Sequence, residues 1–446
     1  MPRWDRAVVL GGSIAGLLAA HVLAERYATV IVVERDRLPA AACHRRGVPH
    51  GRHVHGLLPG GLRAMEQLLP GISQKMIGDG ALTGDILGNV RWYVRGQRLP
   101  QAGIGVTALS ASRPLIEAAI RKRVRALANV TLRDRCIATG LLLTPDRRRV
   151  EGVWVGDAAG GHKQLLPADL VIDATGRATR TLRWLSMLGF PAPAADRIDI
   201  DLRYVSCEFA APPDIIGKDL MVAIGRAPRQ RRSGVMQRIE GGRVLVTLAG
   251  IRGDRPPLDP DGFAGYANSL PADDIARLIR AGRPLTALTQ FHCPTYVRQR
   301  FERLSRYPAG LLFVGDSVCS LNPMYAEGIS VAARTAAVLR HQLRDAGEPM
   351  AKPFFNAVCS TLDDPWGLAA TADTADVSPS PTAEYLAALE KAAPHDLTLS
   401  IAYVRVAALI DPPAALLSPA IRQLVAAITA TCGKIEPSQP GRTRLS

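Results

Sequence analysis

The sequence predicts an α/β protein of the α+β two-domain type, in which a Rossmann-like domain carries an inserted antiparallel sheet and is followed by a helical C-terminal region. Three observations support this fold class. An all-apolar strand, residues 7–10, runs into a glycine-rich turn and an apolar helix. Residues 200–250 read as short strands, two of which are joined by a turn at 240–242. Beyond residue 344, helical segments alternate with prolines.

Length, composition and charge fit a folded protein of several domains. The chain has 446 residues, 47% of them hydrophobic, which is enough for a large core in two or three domains. The net charge of +15 comes from 55 basic and 40 acidic residues, and the arginines are dispersed along the chain. A nucleic-acid site would cluster them with aromatic residues, so we expect no nucleic-acid partner. Apolar runs end well short of the about 20 residues that span a membrane, so we expect no transmembrane segment.

The cysteines and the N-terminal segment indicate a reduced, cytoplasmic protein. None of the seven cysteines forms a Cys-x-x-Cys pair, which argues against a zinc site or a redox dithiol. The apolar segment 7–24 has the length of a signal peptide, but its patterned glycines and the strand after it favour a folded element.

The N-terminal segment has the pattern of a dinucleotide-binding βαβ unit. The turn Gly11-Gly12-Ser13-Ile14-Ala15-Gly16 opens a helix predicted over 17–26, and a second strand, 30–33, ends at Glu34. Close-packed glycines at a helix N-terminus bind a pyrophosphate through backbone N–H groups, and an acid about 20 residues later binds a ribose. Ser13 replaces one glycine of this pattern. The carboxylate of Glu34 would repel a 2′-phosphate, which disfavours NADP here.

Three further segments are candidates to face the same ligand. Residues 173–177 and 315–316 each follow a predicted buried strand and contain small residues that let a ligand approach. The second leads through the loop at 322–325 into a helix predicted over 329–339, whose N-terminus suits an anionic ligand. Segment 46–58 contains three histidines without Asp, Glu or Cys, which favours a loop that closes over a ligand above a metal site.

Four segments together resemble one protein family. Residues 11–34, 47–58, 173–177 and 315–328 are similar to the FAD-dependent monooxygenases with the para-hydroxybenzoate hydroxylase fold. Within that family the sequence is nearest the bacterial flavin epoxidases that act on polyketide and terpenoid olefins. The resemblance implies FAD as cofactor and transfer of one oxygen atom from O₂ to a small molecule of secondary metabolism, by epoxidation or hydroxylation, through a flavin C4a-hydroperoxide. It leaves NAD(P)H and a partner flavin reductase open as electron donor.

The resemblance also implies roles for individual residues. Ala326 stands where the family usually has glycine, and a carboxylate at Glu327 would oppose the negative charge of reduced flavin. One of the histidines is predicted to lie beside the flavin and relay a proton, because histidine titrates near neutral pH; alternatively the histidines only close the loop. The catalytic candidates are His50, His55, Asn322 and Pro323. The FAD-binding candidates are Gly11, Gly12, Ser13, Ile14, Ala15, Gly16, Glu34, Arg35, Arg52, Arg113, Asp316, Gly328 and Ile329, and no metal ligand is expected.

The predicted domains are discontinuous. The FAD-binding domain comprises residues 1–60, 101–190 and 291–345, and the substrate-binding domain comprises 61–100 and 191–290. Residues 346–435 form the C-terminal helical region, with a flexible loop at 373–381, and 436–446 form a disordered tail. Apolar residues in the inserted sheet either favour a lipophilic or aromatic substrate or form plain core; they are Met221, Val222, Ile224, Val235 and Met236.

Three functions remain open from the sequence. Monooxygenation leads. The first alternative is an FAD-dependent isoprenoid reductase or redox-neutral cyclase on the same scaffold, and the second is a flavin-binding protein without turnover. The sequence lacks the Trp-x-Trp-x-Ile-Pro segment that flavin halogenases carry, which argues against halogenation.

Overall fold

A computed structural model describes residues 4–157, 163–228, 230–345, 350–375 and 378–432. The predicted disordered tail, 436–446, lies outside the described residues. Within them, no helix is both long enough and apolar enough to cross a membrane.

Strands and helices mix in the first third of the chain, strands dominate the middle, and helices dominate the rest. The strands are β1 (Trp4–Leu10), β2 (Tyr27–Val33), β3 (Leu82–Asp85), β4 (Val90–Val94), β5 (Gln97–Arg98), β6 (Thr107–Ser110), β7 (Val130–Arg133), β8 (Cys136–Leu143), β9 (Val150–Asp157), β10 (Gln164–Pro167), β11 (Leu170–Asp173), β12 (Ala195–Ala210), β13 (Met221–Ile224), β14 (Arg232–Ile239), β15 (Arg243–Gly250), β16 (Arg283–Pro284), β17 (Thr289–Gln299), β18 (Leu311–Phe313) and β19 (Cys319–Ser320). The helices are α1 (Ile14–Leu23), α2 (Pro59–Leu68), α3 (Ile72–Gly78), α4 (Arg113–Arg125), α5 (Thr181–Met187), α6 (Pro213–Ile216), α7 (Pro260–Asn268), α8 (Asp274–Ala281), α9 (Gly328–Asp345), α10 (Ala351–Thr374), α11 (Pro381–Ala392), α12 (Leu397–Ala407) and α13 (Pro419–Cys432).

A parallel sheet with the order β18-β11-β1-β2-β7 forms the first layer. In its centre Val9 pairs with Ile172 on one side and with Val32 on the other. All three side chains are fully buried. Helix α1 packs on β1 and contacts both α4 and α9. Cover by helices explains why β1 is apolar along its buried half, and it confirms the expectation of a Rossmann-like domain.

Helix α1 begins at Ile14, three residues before its predicted start at Leu17, because the residues after Ser13 already have helical geometry. It ends at Leu23 rather than Arg26, in turns closed by bonds from Glu25 N to Val22 O and from Arg26 N to Leu23 O. The helix therefore points its first turn at the glycine-rich segment itself.

A second, mainly antiparallel sheet has the order β19-β17-β12-β15-β14-β13-β4-β5, with β16 beside β12. The predicted turn between β14 and β15 is present, with Gly241 and Gly242 at φ +73° and +69°. A hairpin that turns at Gly96 joins β4 to β5. Val222, Ile224 and Met236 pack in a core with α7 and α8. These three side chains are therefore part of the core, and they give no information about the substrate.

The C-terminal helices pack on both sheets. Helix α9 contacts α1 and α2, and α10 contacts α9. The ring of Trp366 on α10 lies edge-on to Tyr296 of β17, with 5.1 Å between centroids. Helix α10 continues to Thr374, and Asp373 is 4% exposed. The predicted flexible loop at 373–381 is therefore wrong at its first two residues, which belong to α10, and the Asp373 carboxylate is held by buried donors described below.

Candidate active site

Three loops meet at the carboxyl edge of the parallel sheet, where β1, β11 and β18 end side by side. A Cβ on Gly11 would lie 2.5 Å from Ala174 O, and one on Gly315 would lie 2.7 Å from Ala15 Cβ. These contacts are too short for any side chain, so only glycine fits at these two positions where the loops approach each other. Ligand sites of doubly wound sheets lie at this edge.

The first turn of α1 is shaped by glycines. Gly11 has φ +100°, and a Cβ on Gly16 would lie 1.9 Å from Gly11 O. The N–H groups of the first helical turn have no partner within the helix, so this end can bind an anionic group. Gly12 N is not one of them, because it donates to Glu34 Oε2 at 2.7 Å.

Glu34 lies beneath the glycine-rich turn and is 7% exposed. Its Oε1 accepts from Asp36 N at 2.9 Å, and Arg45 Nη1 is 3.5 Å from its Oε2. A carboxylate has about four acceptor positions, so Glu34 retains capacity for ligand hydroxyl groups. Arg35, the next residue, is exposed at the end of β2.

A buried ion cluster lies beside the first turn of α1. Arg113 Nη1 donates to Glu117 Oε2 at 2.8 Å, and Arg113 Nη2 donates to Ser13 Oγ at 2.8 Å. Arg45 Nε and Arg121 Nη1 donate to the other oxygen of Glu117 at 2.8 and 2.9 Å. Burial opposes ionisation of Glu117, but Arg113 and Arg45 outweigh it and lower the pKa of this carboxyl. The cluster brings positive charge to the place where the turn presents its N–H groups.

Asp316 follows Gly315 in the loop after β18. Its side chain retains accessible surface and makes no hydrogen bond to any described residue. Surrounding protein nevertheless raises the pKa of its carboxyl, while Arg177 and Arg113 oppose the rise. The Asp316 carboxylate is thus an exposed acceptor at the carboxyl edge of the sheet, where it is available to a ligand.

The loop between β19 and α9 forms another wall of this region. Asn322 is 1% exposed, and its Oδ1 accepts from Met324 N at 3.0 Å. Pro323 is exposed. The backbone of Ala326 is left-handed, with φ +57°. The left-handed conformation of Ala326 explains why glycine is usual at this position in the family that the sequence resembles. A Cβ on Gly56 would lie 2.8 Å from Ala326 Cβ, so the histidine segment crosses directly over this loop.

The three histidines of segment 46–58 lie together against the second sheet. His50 and His55 have ring centroids 5.4 Å apart, and His55 Nδ1 lies 2.9 Å from His53 O. His53 Nδ1 lies 2.7 Å from Ser206 Oγ on β12. The ring of Phe291 on β17 lies 5.9 Å from His50 and 5.8 Å from His53. The segment therefore packs against the sheet through its imidazoles.

Burial keeps these imidazoles neutral. It lowers the pKa of His53 to about 4 and that of His55 to about 3, and it holds the pKa of His50 well below 6.5. Nearby Arg113 and Arg177 lower the pKa of His50 further. Titration near neutral pH therefore does not support a proton relay by these histidines, and their catalytic role stays a prediction. Neutral imidazoles can still accept or donate single hydrogen bonds.

Of the other candidates, Arg52 is exposed. Its positive charge is the second cause, after burial, of the lowered pKa of His53. Gly51, the neighbour of Arg52, approaches Arg113, with 3.8 Å from an added Cβ to Arg113 Cδ. Gly328 and Ile329 begin α9, where Gly328 is exposed and Ile329 is buried. Among the described residues, no group of His, Cys, Asp or Glu is arranged to hold a metal ion.

Comparison with known proteins identifies a relative. Over 365 residues the chain is 34% identical to protein Rv3254 of Mycobacterium tuberculosis (strain ATCC 25618 / H37Rv), a stretch that spans 78% of this chain and 74% of that protein. The chain belongs to the Rv3254 family. No family model matches it.

Solved structures share the fold of this Rv3254-family member at low sequence identity. The flavin-dependent brominase Bmp2 has a TM-score of 0.67 and 12% identity over 97% of this chain and 99% of its own. The p-nitrophenol 4-monooxygenase PnpA of Pseudomonas putida DLL-E4 has a TM-score of 0.63 and 16% identity over 93% of this chain and 100% of its own. The Diels-Alderase PyrE3 of the pyrroindomycin pathway has a TM-score of 0.57 and 18% identity over 91% of this chain and 81% of its own. These likenesses confirm the predicted fold class.

The site of this Rv3254-family member fits a flavin dinucleotide. A Cβ on Gly16 would fill the space next to Gly11 O, so the turn between these two glycines presents only its backbone to a dinucleotide. Arg113 and Ser13 bring a buried cation to that surface. Asp316 offers an accessible carboxylate at the same edge of the sheet. The anionic and hydroxyl groups of a dinucleotide thus each have a matching group of residues.

Two site residues were not found from the sequence of this Rv3254-family member. Arg45 bonds to Glu117 across 72 residues, and it also approaches Gly12 O at 3.4 Å. Asp373 bonds to Asn322 across 51 residues. The position of Arg45 beside the glycine- and histidine-rich segment was the only local signal for it, and Asp373 had none.

Proposed function

We propose that the protein is an FAD-dependent monooxygenase that transfers one oxygen atom from O₂ to a lipophilic or aromatic small molecule, by epoxidation or hydroxylation. The observation that carries this proposal is that the glycine-lined first turn of α1, the buried Arg113 beside Ser13 and the exposed Asp316 carboxylate lie at one edge of the parallel sheet. A dinucleotide would bind along this edge with its ring against the loop from Asn322 to Ala326. Packing of the ring against protein would exclude water, as reaction of reduced flavin with O₂ on a substrate requires.

The residues of the chain would bind and orient the cofactor in three places. The first turn of α1 and Arg113 would hold the pyrophosphate, Glu34 the adenosine ribose, and Asp316 a ribityl hydroxyl. The loop from Asn322 to Ala326 would lie against the ring. FAD itself would supply the redox chemistry with O₂.

The substrate wall in this proposal consists of aromatic side chains from the second sheet. The rings of Tyr204 and Phe291 stack with 6.4 Å between centroids, and His53 lies 5.7 Å from Tyr204. Burial raises the pKa of Tyr204 well above 10, so its hydroxyl stays protonated. Aromatic surface with a few fixed polar groups suits a lipophilic or aromatic ligand.

Glu327 would not oppose negative charge on a reduced flavin, contrary to the concern that its residue type raises. Its side chain is 6% exposed, and its Oε2 has no hydrogen-bond partner among the described residues. Burial raises its pKa to about 8, Arg334 opposes the rise, and Asp373 adds to it. Glu327 is therefore a neutral acid at pH 7 and is compatible with the proposed chemistry.

Redox-neutral cyclisation is the second candidate. Its support is that PyrE3, named as a Diels-Alderase, shares this fold. The scaffold therefore suits ring closure as well as oxygen transfer, and the two candidates differ in whether O₂ is consumed. We keep NAD(P)H or a partner flavin reductase as proposed electron donors, and a cytoplasmic role in secondary metabolism as the proposed setting.

Two measurements test the proposal in sequence. Absorption spectra before and after addition of FAD should show a bound flavin, and no flavin band under either condition would overturn the proposal. Candidate olefins and aromatic substrates would then be incubated with a reductant under ¹⁸O₂, and we expect one ¹⁸O atom in the product. Full conversion under strict anaerobiosis would instead establish the cyclase or reductase function.

A further inference from the structure

The carboxylate of Asp373 collects hydrogen bonds from three separate parts of the fold. Asn322 Nδ2 and Tyr296 OH donate to its Oδ2 at 2.7 and 3.1 Å. Tyr325 OH and Arg226 Nη2 donate to its Oδ1 at 3.0 and 3.1 Å. The Asp373 side chain is only 2% exposed. Its charge is therefore balanced entirely by protein donors, as a buried carboxylate requires.

Two of these donors belong to the loop that flanks the proposed ring position. Asn322 stands at the start of the loop and Tyr325 near its end, immediately before Ala326. Asn322 is fixed on its other side as well, because its Oδ1 accepts from Met324 N at 3.0 Å. Asp373 thus bonds to both ends of a loop in which Pro323 is exposed.

The other two donors belong to the second sheet and its edge. Tyr296 lies on β17, and Arg226 follows β13. Burial raises the pKa of Tyr296 and of Tyr325, and Asp373 raises both further. Both hydroxyls therefore stay protonated and serve as donors, and the carboxylate is the common acceptor. Asp373 itself lies on α10, in the C-terminal helical region.

We propose that Asp373 is a positioning residue that sets the conformation of the Asn322–Tyr325 loop against the flavin ring, and that α10 is thereby part of the active site. This inference rests on the proposed function. A loop held by one carboxylate at both ends depends on that carboxylate for its shape. The shape of the loop in turn sets the surface that faces the ring and how well the ring is shielded from water.

Two tyrosine substitutions separate positioning from simple stabilisation. Tyr325→Phe and Tyr296→Phe each remove one hydrogen bond to the same carboxylate, but only Tyr325 belongs to the loop. Both variants should lose similar stability in thermal unfolding. Only Tyr325→Phe should change the absorption spectrum of bound FAD. Asp373→Asn, which also removes the charge, should change the spectrum in the same direction.

A second readout follows reoxidation of the flavin after dithionite reduction, mixed with O₂ in the absence of substrate. Tyr325→Phe loses one positioning hydrogen bond and is expected to change this rate by about three- to tenfold. Asp373→Asn loses more than one and should change the rate in the same direction by at least as much. Tyr296→Phe should match the wild type. Equal spectra and rates in the two tyrosine variants would overturn the positioning role. If the wild type binds no flavin, it is the proposed function that fails.

Discussion

Replacing Glu327 with glutamine is expected to remove a pH dependence from the stability of the protein. Burial raises the pKa of this carboxyl from 4.5 to about 8. Between these values the folded protein keeps a proton that the unfolded chain has released. Stability therefore falls as pH rises through this window, by at most about 1.4 kcal/mol per pH unit, and it levels off above the folded pKa and below the unfolded one.

The size of the effect follows from the two pKa values. From pH 6 to pH 8, Glu327 should cost the wild type about 2 kcal/mol of unfolding free energy, because its proton leaves the folded state only near the upper limit. Glu327→Gln has nothing to titrate at this position. The difference between wild type and variant isolates the residue, since Arg334, Asp373 and the buried histidines are present in both proteins.

The assay is urea unfolding of both proteins at pH 6, 7 and 8 with equal FAD. Glu384→Gln is the matched control, because Glu384 is exposed on α11, and its pH profile should follow that of the wild type. A wild-type-to-Glu327→Gln difference that stays constant from pH 6 to pH 8 would refute a neutral Glu327 in the folded protein.

Three further predictions concern the proposed FAD site. Gly16→Ala places a methyl group 1.9 Å from a backbone oxygen of the same turn, so it should abolish FAD binding and lower the unfolding free energy by about 1–3 kcal/mol in a thermal melt. The control is Gly265→Ala on α7, whose methyl group would contact no atom within 4 Å and should not destabilise the protein. Asp316→Ala and Arg113→Ala should each weaken FAD by about 1–3 kcal/mol in a fluorescence titration, and unchanged affinity in both would contradict their assignment. His53, whose burial lowers its pKa to about 4, should let stability fall by up to about 3 kcal/mol as pH drops from 6.5 to 4, and His53→Gln should remove that loss.

Local patterns carried most of what could be predicted. The glycines at positions 11 and 16 predict a tight turn, and the structure shows that no side chain fits at either position. The apolar strand before them predicts a sheet covered on both faces. Loops that follow parallel strands meet at one edge of the sheet, so the convergence of Gly11, Ala174 and Gly315 was also within reach of the sequence.

Long-range polar contacts were out of reach. Arg45 and Glu117 are 72 residues apart, and Asp373 and Arg226 are 147 residues apart. Nothing in the spacing of charged residues tells which pairs will meet once the sheets are packed. The segment that begins at Asp373 is rich in small and polar residues, a composition that predicts a flexible loop. Its first carboxylate instead joins the active-site loop to the second sheet.

Residue type alone did not indicate which side chains of the site are charged. Histidine suggested a proton relay and Glu327 suggested a negative charge, yet burial keeps His55 and Glu327 neutral at pH 7. Charged side chains concentrate at the other end, where Arg45 and Arg113 flank the first turn of α1. In the proposed FAD complex, that end holds the pyrophosphate. The ring end holds Glu327 as a neutral acid and neutral imidazoles, and the charge of Asp373 behind the loop is balanced by its own donors. Negative charge gained by the ring on reduction would therefore meet no carboxylate from Glu327.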